Sequence, residues 1–140
     1  MRMASLPRVK DKTYGRVVGK LGQVSDKKVA LVTGGNRGIG LAIAKSLQSK
    51  GIEVVVTYRS GSAPSNFNAV KMDVTDSSSV DAGFTECEER FGIPEIIVCN
   101  AGITKDGLVM RMSDDDFNTV IDANLGGAFR TARRATCLLY

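Results

Sequence analysis

Val29-Ala30-Leu31-Val32-Thr33-Gly34-Gly35-Asn36-Arg37-Gly38-Ile39-Gly40 decides the fold. The short apolar run Val29–Thr33 reads as a strand covered on both faces. A glycine-rich turn follows at once. Ile39, Ala42, Ile43 and Leu47 then recur at helical spacing, and Gly51 stops that helix at its C-terminal side. A strand, a glycine turn and a helix in this order suit a ligand carrying a pyrophosphate. Backbone without Cβ allows close approach, and the helix N-terminus faces the negative charge. The spacing is G-x-x-x-G-x-G through Gly34, Gly38 and Gly40, not the commoner G-x-G-x-x-G. Alone, such a trio also fits a plain turn. Its place in the first βαβ unit gives it weight.

Working outward, Ile52–Thr57 predicts a second, β-branched strand. Residues Ser60–Asn68 are too few and too polar for a crossover helix. Ala69–Met72 predicts a third strand. Val80, Phe84, Cys87 and Phe91 fall on one helical face, ended by Gly92 and Pro94. Glu95–Cys99 predicts a fourth strand, with apolar Ile96–Val98 at a sheet edge. Ser113 and Asp116 form an S-x-x-D capping signature. Phe117, Val120, Ile121, Leu125, Ala128, Phe129 and Ala132 then mark a long helix still running at Tyr140. Strands alternating with helices imply right-handed crossovers and a three-layer α/β/α parallel sheet.

The chain has 140 residues, enough for one domain. Apolar residues make up 43% and charged residues 24%, as in ordinary globular proteins. No apolar run is long enough for a membrane span. Cys87, Cys99 and Cys137 have no paired spacing, so neither a disulfide framework nor a metal site is expected. The absence of histidine excludes Ser-His-Asp and Cys-His catalysis. A cytoplasmic setting fits these cysteines. Residues 1–28 hold eight of the 19 Lys and Arg but only two of the 15 Asp and Glu. We therefore expect a basic flexible extension over 1–27, with a short strand near Arg16–Val18, and a folded unit over 28–140. A near-neutral body argues against nucleic-acid binding.

Several residues cluster at strand ends. A ribose 2′-hydroxyl usually meets an acid about 20 residues beyond the glycines. Arg59 stands there instead, and Arg37 lies inside the glycine loop. Two fixed cations suit a 2′-phosphate, so NADPH is expected over NADH. Solvated surface arginines are the plainer alternative. Asp73-Val74 closes the third strand and Asn100-Ala101-Gly102 the fourth. Asp73 suits an adenine amino group. Asn100 suits either the sheet edge or a ribose. Either residue also fits a simple loop cap. Candidate cofactor contacts are thus Gly34, Gly35, Asn36, Arg37, Gly38, Ile39, Gly40, Arg59, Asp73, Val74, Asn100, Ala101 and Gly102. Asn124 is a poor mid-helix residue, so its position needs a reason. Gly126 and Gly127 beside it permit a local distortion or close packing. Arg130, Arg133 and Arg134 form a basic cluster on the last helix.

Together Thr33–Gly40, Asp73-Val74, Asn100-Ala101-Gly102 and Asn124-Leu125 resemble the motifs of the classical short-chain dehydrogenase/reductase family. The resemblance runs from about Lys28 to Tyr140. It implies a Rossmann-like sheet of strand order 3-2-1-4, the first part of a doubly wound fold. Within the family, the stretch Asn100–Arg130 and the loop Gly34–Gly40 look like actinobacterial 3-oxoacyl-(acyl-carrier-protein) reductases. That resemblance implies NADPH-dependent reduction of a 3-oxoacyl thioester on acyl carrier protein to the 3-hydroxy form, in fatty acid biosynthesis. It also implies a homo-oligomer, a tetramer in the family, formed through the long helix. Asn124 matches an Asn that supports a proton-relay water, and so is the catalytic candidate. The family's proton donor is a Tyr with a Lys four residues on. Tyr14 and Tyr58 are followed at that spacing by Val18 and Ser62, so the resemblance implies a chain truncated before the family's catalytic Ser and its Tyr-x-x-x-Lys. Cys99 and Gly126 depart from common family residues. A reductase of another carbonyl, or a non-catalytic nucleotide-binding remnant, remains open. The arginine cluster suits a solvated face, a subunit contact, or docking of an acidic carrier protein.

Overall fold

The structure, a computed structural model, describes residues 27–137. Four strands, β1 (Val29–Val32), β2 (Glu53–Tyr58), β3 (Asn68–Lys71) and β4 (Pro94–Val98), form one parallel sheet of order β3-β2-β1-β4. The expected order is therefore found, and each strand lies within a residue or so of its expected place. Leu31 pairs with Val55 on one side and Ile97 on the other. No helix intervenes between β2 and β3, as the polar segment Ser60–Asn68 predicts. The expected strand near Arg16–Val18, most of the basic extension, and the helix end beyond Cys137 lie outside the described residues.

The helices are α1 (Gly38–Ser49), α2 (Ser77–Arg90), α3 (Asp114–Ile121) and α4 (Gly127–Thr136). A short 3-10 turn spans Val109–Arg111. Asp76 caps α2 by accepting from the Ser78 N–H. Ser113 caps α3 by accepting from Asp116 N–H at 3.1 Å. Strand residues alternate between two cores. Leu31, Val55 and Val70 pack with Val80, Phe84 and Cys87 of α2 on one face. Ala30, Val32, Val54 and Val56 pack with Ala44 and Leu47 of α1 on the other. All of β1 is buried, as a strand between two helical layers must be.

One expectation is corrected. The single long helix after Ser113 is interrupted by a π turn over Asp122–Gly126. Its cause lies in the two glycines and one arginine. A Cβ at Gly126 would stand 2.9 Å from Arg130 Nη1 and 3.0 Å from Asp122 Oδ1. A Cβ at Gly127 would stand 2.7 Å from Val74 Cγ2. Gly126 thus leaves room for a guanidinium, and Gly127 lets α4 press onto Val74. Such π turns tend to occur at functional sites. Phe117, Leu125 and Phe129 along this segment are 56%, 66% and 61% exposed.

The arginine cluster is also corrected. Arg130 pairs with Asp122, and its side chain is only 20% exposed. Arg134 lies over the Phe84 ring and sits 2.9 Å from Glu88 Oε1 and 3.7 Å from Asp81 Oδ1. Burial pushes the Glu88 carboxyl up, against the pull of Arg134. Arg133 reaches Ser77 Oγ at 3.3 Å. Two of the three arginines therefore tie α4 to the fold, because acids on α2 and the π turn lie within reach. They do not form a free basic face.

Candidate functional site

A cleft of about 720 Å³ opens at the carboxyl ends of the strands. Beneath the glycine loop lies Thr33, which is 1% exposed. The Thr33 hydroxyl accepts from Asn100 N–H and Ala101 N–H, each at 3.0 Å, and donates to the Val98 carbonyl at 3.3 Å. Asn100 returns the contact through its side chain. Nδ2 donates to the Thr33 carbonyl at 2.9 Å and the Gly34 carbonyl at 3.3 Å. On the other side, Gly34 N–H donates to Thr57 Oγ1 at 3.3 Å and Gly35 N–H to the Thr57 carbonyl at 3.1 Å. The glycine loop is thus pinned between the ends of β4 and β2. Of the two readings of Asn100, its amide group holds the sheet end.

The loop needs glycine for separate reasons. Gly34 has φ +63° with Ala101 Cα 3.1 Å from any added Cβ. At Gly40 a Cβ would meet the Gly34 carbonyl at 2.6 Å and collide with the Asn100 amide. Gly40 therefore lets α1 begin directly against the loop. At Gly38, with φ +56°, no atom lies within 4 Å of an added Cβ. Arg37 caps α1 without a side-chain bond, and no acid lies in the first turn. The N-terminus of α1 therefore keeps its donors and its partial positive charge.

Twelve of the thirteen candidate cofactor residues line this cleft. The exception is Gly35. A Cβ there would stand 2.7 Å from Val56 Cγ1 and 3.0 Å from the Val32 carbonyl, so Gly35 packs on the sheet. Arg37 and Arg59 are both exposed at the rim, and Ser60, Gly61 and Ser62 continue the wall beside Arg59. Asp73 Oδ1 accepts from Thr75 N–H at 2.9 Å and Thr75 Oγ1 at 2.7 Å. Partial burial raises the Asp73 carboxyl. The Thr75 bonds, with Arg59 and Arg130, outweigh it and hold the group below the usual carboxylate value. Asp73 is thus a turn former that also faces the cleft.

Asn124 lies on the π turn and outside the lining. Its Oδ1 accepts from Ile103 N–H at 2.8 Å, and its Nδ2 donates to the Ile103 carbonyl at 3.1 Å. A Cβ at Gly102 would come within 2.9 Å of Asn124 Oδ1, so Gly102 makes room for this clamp. Its neighbour Ala123 does line the cleft. Sequence reasoning missed the hub role of Thr33, a lone hydroxyl at the end of an apolar strand. It also missed Thr57, Ser60, Ser62 and the Asp122–Arg130 pair. Thr33 and Thr57 have partners far along the chain, Ser60 and Ser62 read as an ordinary polar turn, and Asp122 and Arg130 stand eight residues apart, a spacing that a regular helix does not bring together. No group of three His, Cys, Asp or Glu able to hold a metal occurs among the described residues. No helix among them is long and apolar enough to cross a membrane.

Fold and cleft together define a Rossmann-like α/β domain with its crevice at the carboxyl ends of a parallel sheet. A family model described as short chain dehydrogenase matches residues 28–140, and the chain belongs to that family. It is 54% identical over 106 residues to the 3-oxoacyl-(acyl-carrier-protein) reductase MabA of Mycobacterium tuberculosis (strain ATCC 25618 / H37Rv). That match covers 76% of this chain and 43% of the relative. It is 53% identical over 105 residues to the MabA of Mycobacterium avium, covering 75% and 41%. It is 40% identical over 114 residues to the 3-oxoacyl-(acyl-carrier-protein) reductase FabG of Salmonella typhimurium, covering 76% and 47%. The chain therefore spans less than half the length of these curated relatives.

Proposed function

We propose that residues 28–140 are the NADPH-binding part of an enzyme reducing 3-oxoacyl-(acyl-carrier-protein) to its 3-hydroxyacyl form in fatty acid biosynthesis. The cleft carries this reading. Its volume suits a dinucleotide, and at Gly38 open space stands where other residues carry a Cβ. The α1 N-terminus and its glycines would hold the pyrophosphate. Arg37 and Arg59 would hold a 2′-phosphate, Arg59 standing at the end of β2 where a free 2′-hydroxyl usually meets an acid. Asp73 and Val74 would face the adenine; Asn100, Ala101 and Gly102 would face the ribose side. When bound, NADPH supplies hydride. What the chain itself does is bind and orient. Asn124 stands where the family resemblance puts a proton-relay residue, and its side chain holds Ile103 at the cleft rim. Tyr14 and Tyr58 are followed four positions on by Val18 and Ser62, so neither is half of a Tyr-Lys proton donor.

The exposed row Phe117, Leu125 and Phe129 suits a second copy of the chain. Sedimentation of a monomer at micromolar concentration would remove that part. The names of the relatives support a 3-oxoacyl-(acyl-carrier-protein) as substrate; a cytoplasmic setting, which three cysteines without paired spacing suit, goes with it.

The test is a fluorescence titration of the 140-residue chain with NADPH and with NADH. NADPH should bind at least about tenfold more tightly, the worth of one charge-assisted contact. Replacing Arg37 and Arg59 together by Ala should erase the difference. Equal affinity in the wild type overturns the cofactor reading. For the substrate, the encoding DNA should be read beyond the Tyr140 codon. An in-frame product carrying a Tyr-x-x-x-Lys should oxidise NADPH faster with acetoacetyl thioesters than with free ketones. The reverse order overturns the substrate.

A further inference from the structure

Two side chains stitch the π turn to the cleft. Asn124 ties it to Ile103, on the loop leaving β4. Arg130 ties it to Val74, on the loop leaving β3. Arg130 Nη1 donates to the Val74 carbonyl and to the Asp122 carbonyl, each at 3.2 Å, and Nη2 pairs with the Asp122 carboxylate. Val74 and Ile103 both line the cleft, and Ala123, between the stitches, lines it too. β3 and β4 are the outermost strands, so the two ties join loops that leave opposite edges of the sheet. The space under the turn is kept for this arginine, since a Cβ at Gly126 would displace it. A planar fork that reaches two carbonyls and a carboxylate at once is geometry a lysine does not reproduce.

We propose that Arg130 is a positioning residue of the cleft: it braces the Asp73-Val74 loop against the π turn and so fixes the spacing of the two cleft walls. The inference rests on the reading of the cleft as a NADPH site. Its brace exists without any ligand. The Arg130 charge also acts on Asp73, alongside Arg59. Loss of the brace lets the adenine wall move relative to the rest. A nucleotide must then hold in place a loop that the protein now holds for it, and binding weakens accordingly.

The experiment compares the 140-residue wild type with Arg130→Met and Asp122→Asn. Amide exchange over residues 73–76 is measured without ligand. Affinities for NADPH and for 2′,5′-ADP are measured beside it. Arg130→Met should speed exchange over 73–76 while leaving β1 and β2 unchanged. It should weaken both nucleotides by about tenfold, as loss of a charge-assisted hydrogen bond does. Asp122→Asn keeps both carbonyl acceptors, so a smaller loss of about threefold is expected, with the same direction in exchange. It serves also if Arg130→Met does not fold. Unchanged exchange over 73–76 in both variants overturns the brace. Faster exchange with unchanged affinity of the folded chain overturns the positioning role and leaves a purely structural tie. A wild type that binds neither nucleotide overturns the NADPH reading, and with it nucleotide positioning, while the exchange comparison still decides the brace.

Discussion

Replacing Thr33 by Val removes one hydroxyl and nothing else of consequence, since the two side chains have nearly the same shape. The cost follows from counting partners. Ala101 N–H loses the hydroxyl it donates to at 3.0 Å. Asn100 N–H loses the same acceptor but keeps the Val98 carbonyl at 3.1 Å. The Val98 carbonyl keeps Thr33 N–H at 2.9 Å. One donor is therefore stranded, and a stranded donor at a half-buried site costs about 2 kcal/mol. With a urea slope of about 1.5 kcal/mol per molar, the midpoint should fall by about 1.3 M. Thr33→Ser is the control. It keeps the hydroxyl and loses one methyl, for about 1 kcal/mol. The assay is urea unfolding of the three chains followed by far-UV circular dichroism. Thr33→Val should be the least stable. If it equals or exceeds Thr33→Ser, the hydroxyl is not the hub, and the Asn100 amide and Thr57 hold the loop without it.

Gly127→Ala should destabilise by about 1–3 kcal/mol, because the new methyl overlaps Val74 and must push α4 off the sheet; thermal melting reads the loss. Thiol labelling at pH 8 should modify Cys99 and Cys137 in the folded chain, both being exposed, and spare Cys87, which is buried with its thiol pushed up to about 12; Cys87 should label only in denaturant, and mass spectrometry reads the sites. The lowered Asp73 carboxyl gives stability that is present above its unfolded value, 3.8, and lost as pH falls through the lower folded value. Asp73→Asn should therefore flatten the acid limb of a stability profile below about pH 4, and an unchanged limb would refute it.

The sheet was legible because its strands are nearly unbroken apolar runs. Val29–Thr33 and Ile52–Thr57 admit few other readings, and the polar stretch between β2 and β3 leaves no room for a helix. Most of the cleft was legible for a related reason. Its lining comes from strand ends, and each strand end is marked in sequence by the residue where the apolar run stops. What stayed hidden depends on partners far along the chain. Asn100 offered a sheet-end role and a ribose role equally until its amide could be seen on Thr33, 67 residues away. Gly126 and Gly127 signalled a distortion or a close approach, and the structure uses one for each. The direction of Arg130 and Arg134 carries no local signal. A charged residue on a helix reads as solvated until an acid is found beside it. Gly35, read as a cofactor contact, turns the side where its Cβ would stand onto the sheet, and the sequence does not say which side of a turn a missing Cβ faces.

The order β3-β2-β1-β4 carries a consequence of its own. From β1 the chain first moves outward to one side, through β2 and β3, and then returns to lay β4 on the other. The connections leaving β1 and β4 therefore diverge above and below the sheet, and a crevice must open where they part. That opening belongs to the route of the chain, not to any side chain that lines it. Arg59 and Asp73 line the opening but do not make it. Only a change in the sequence of strands would close it.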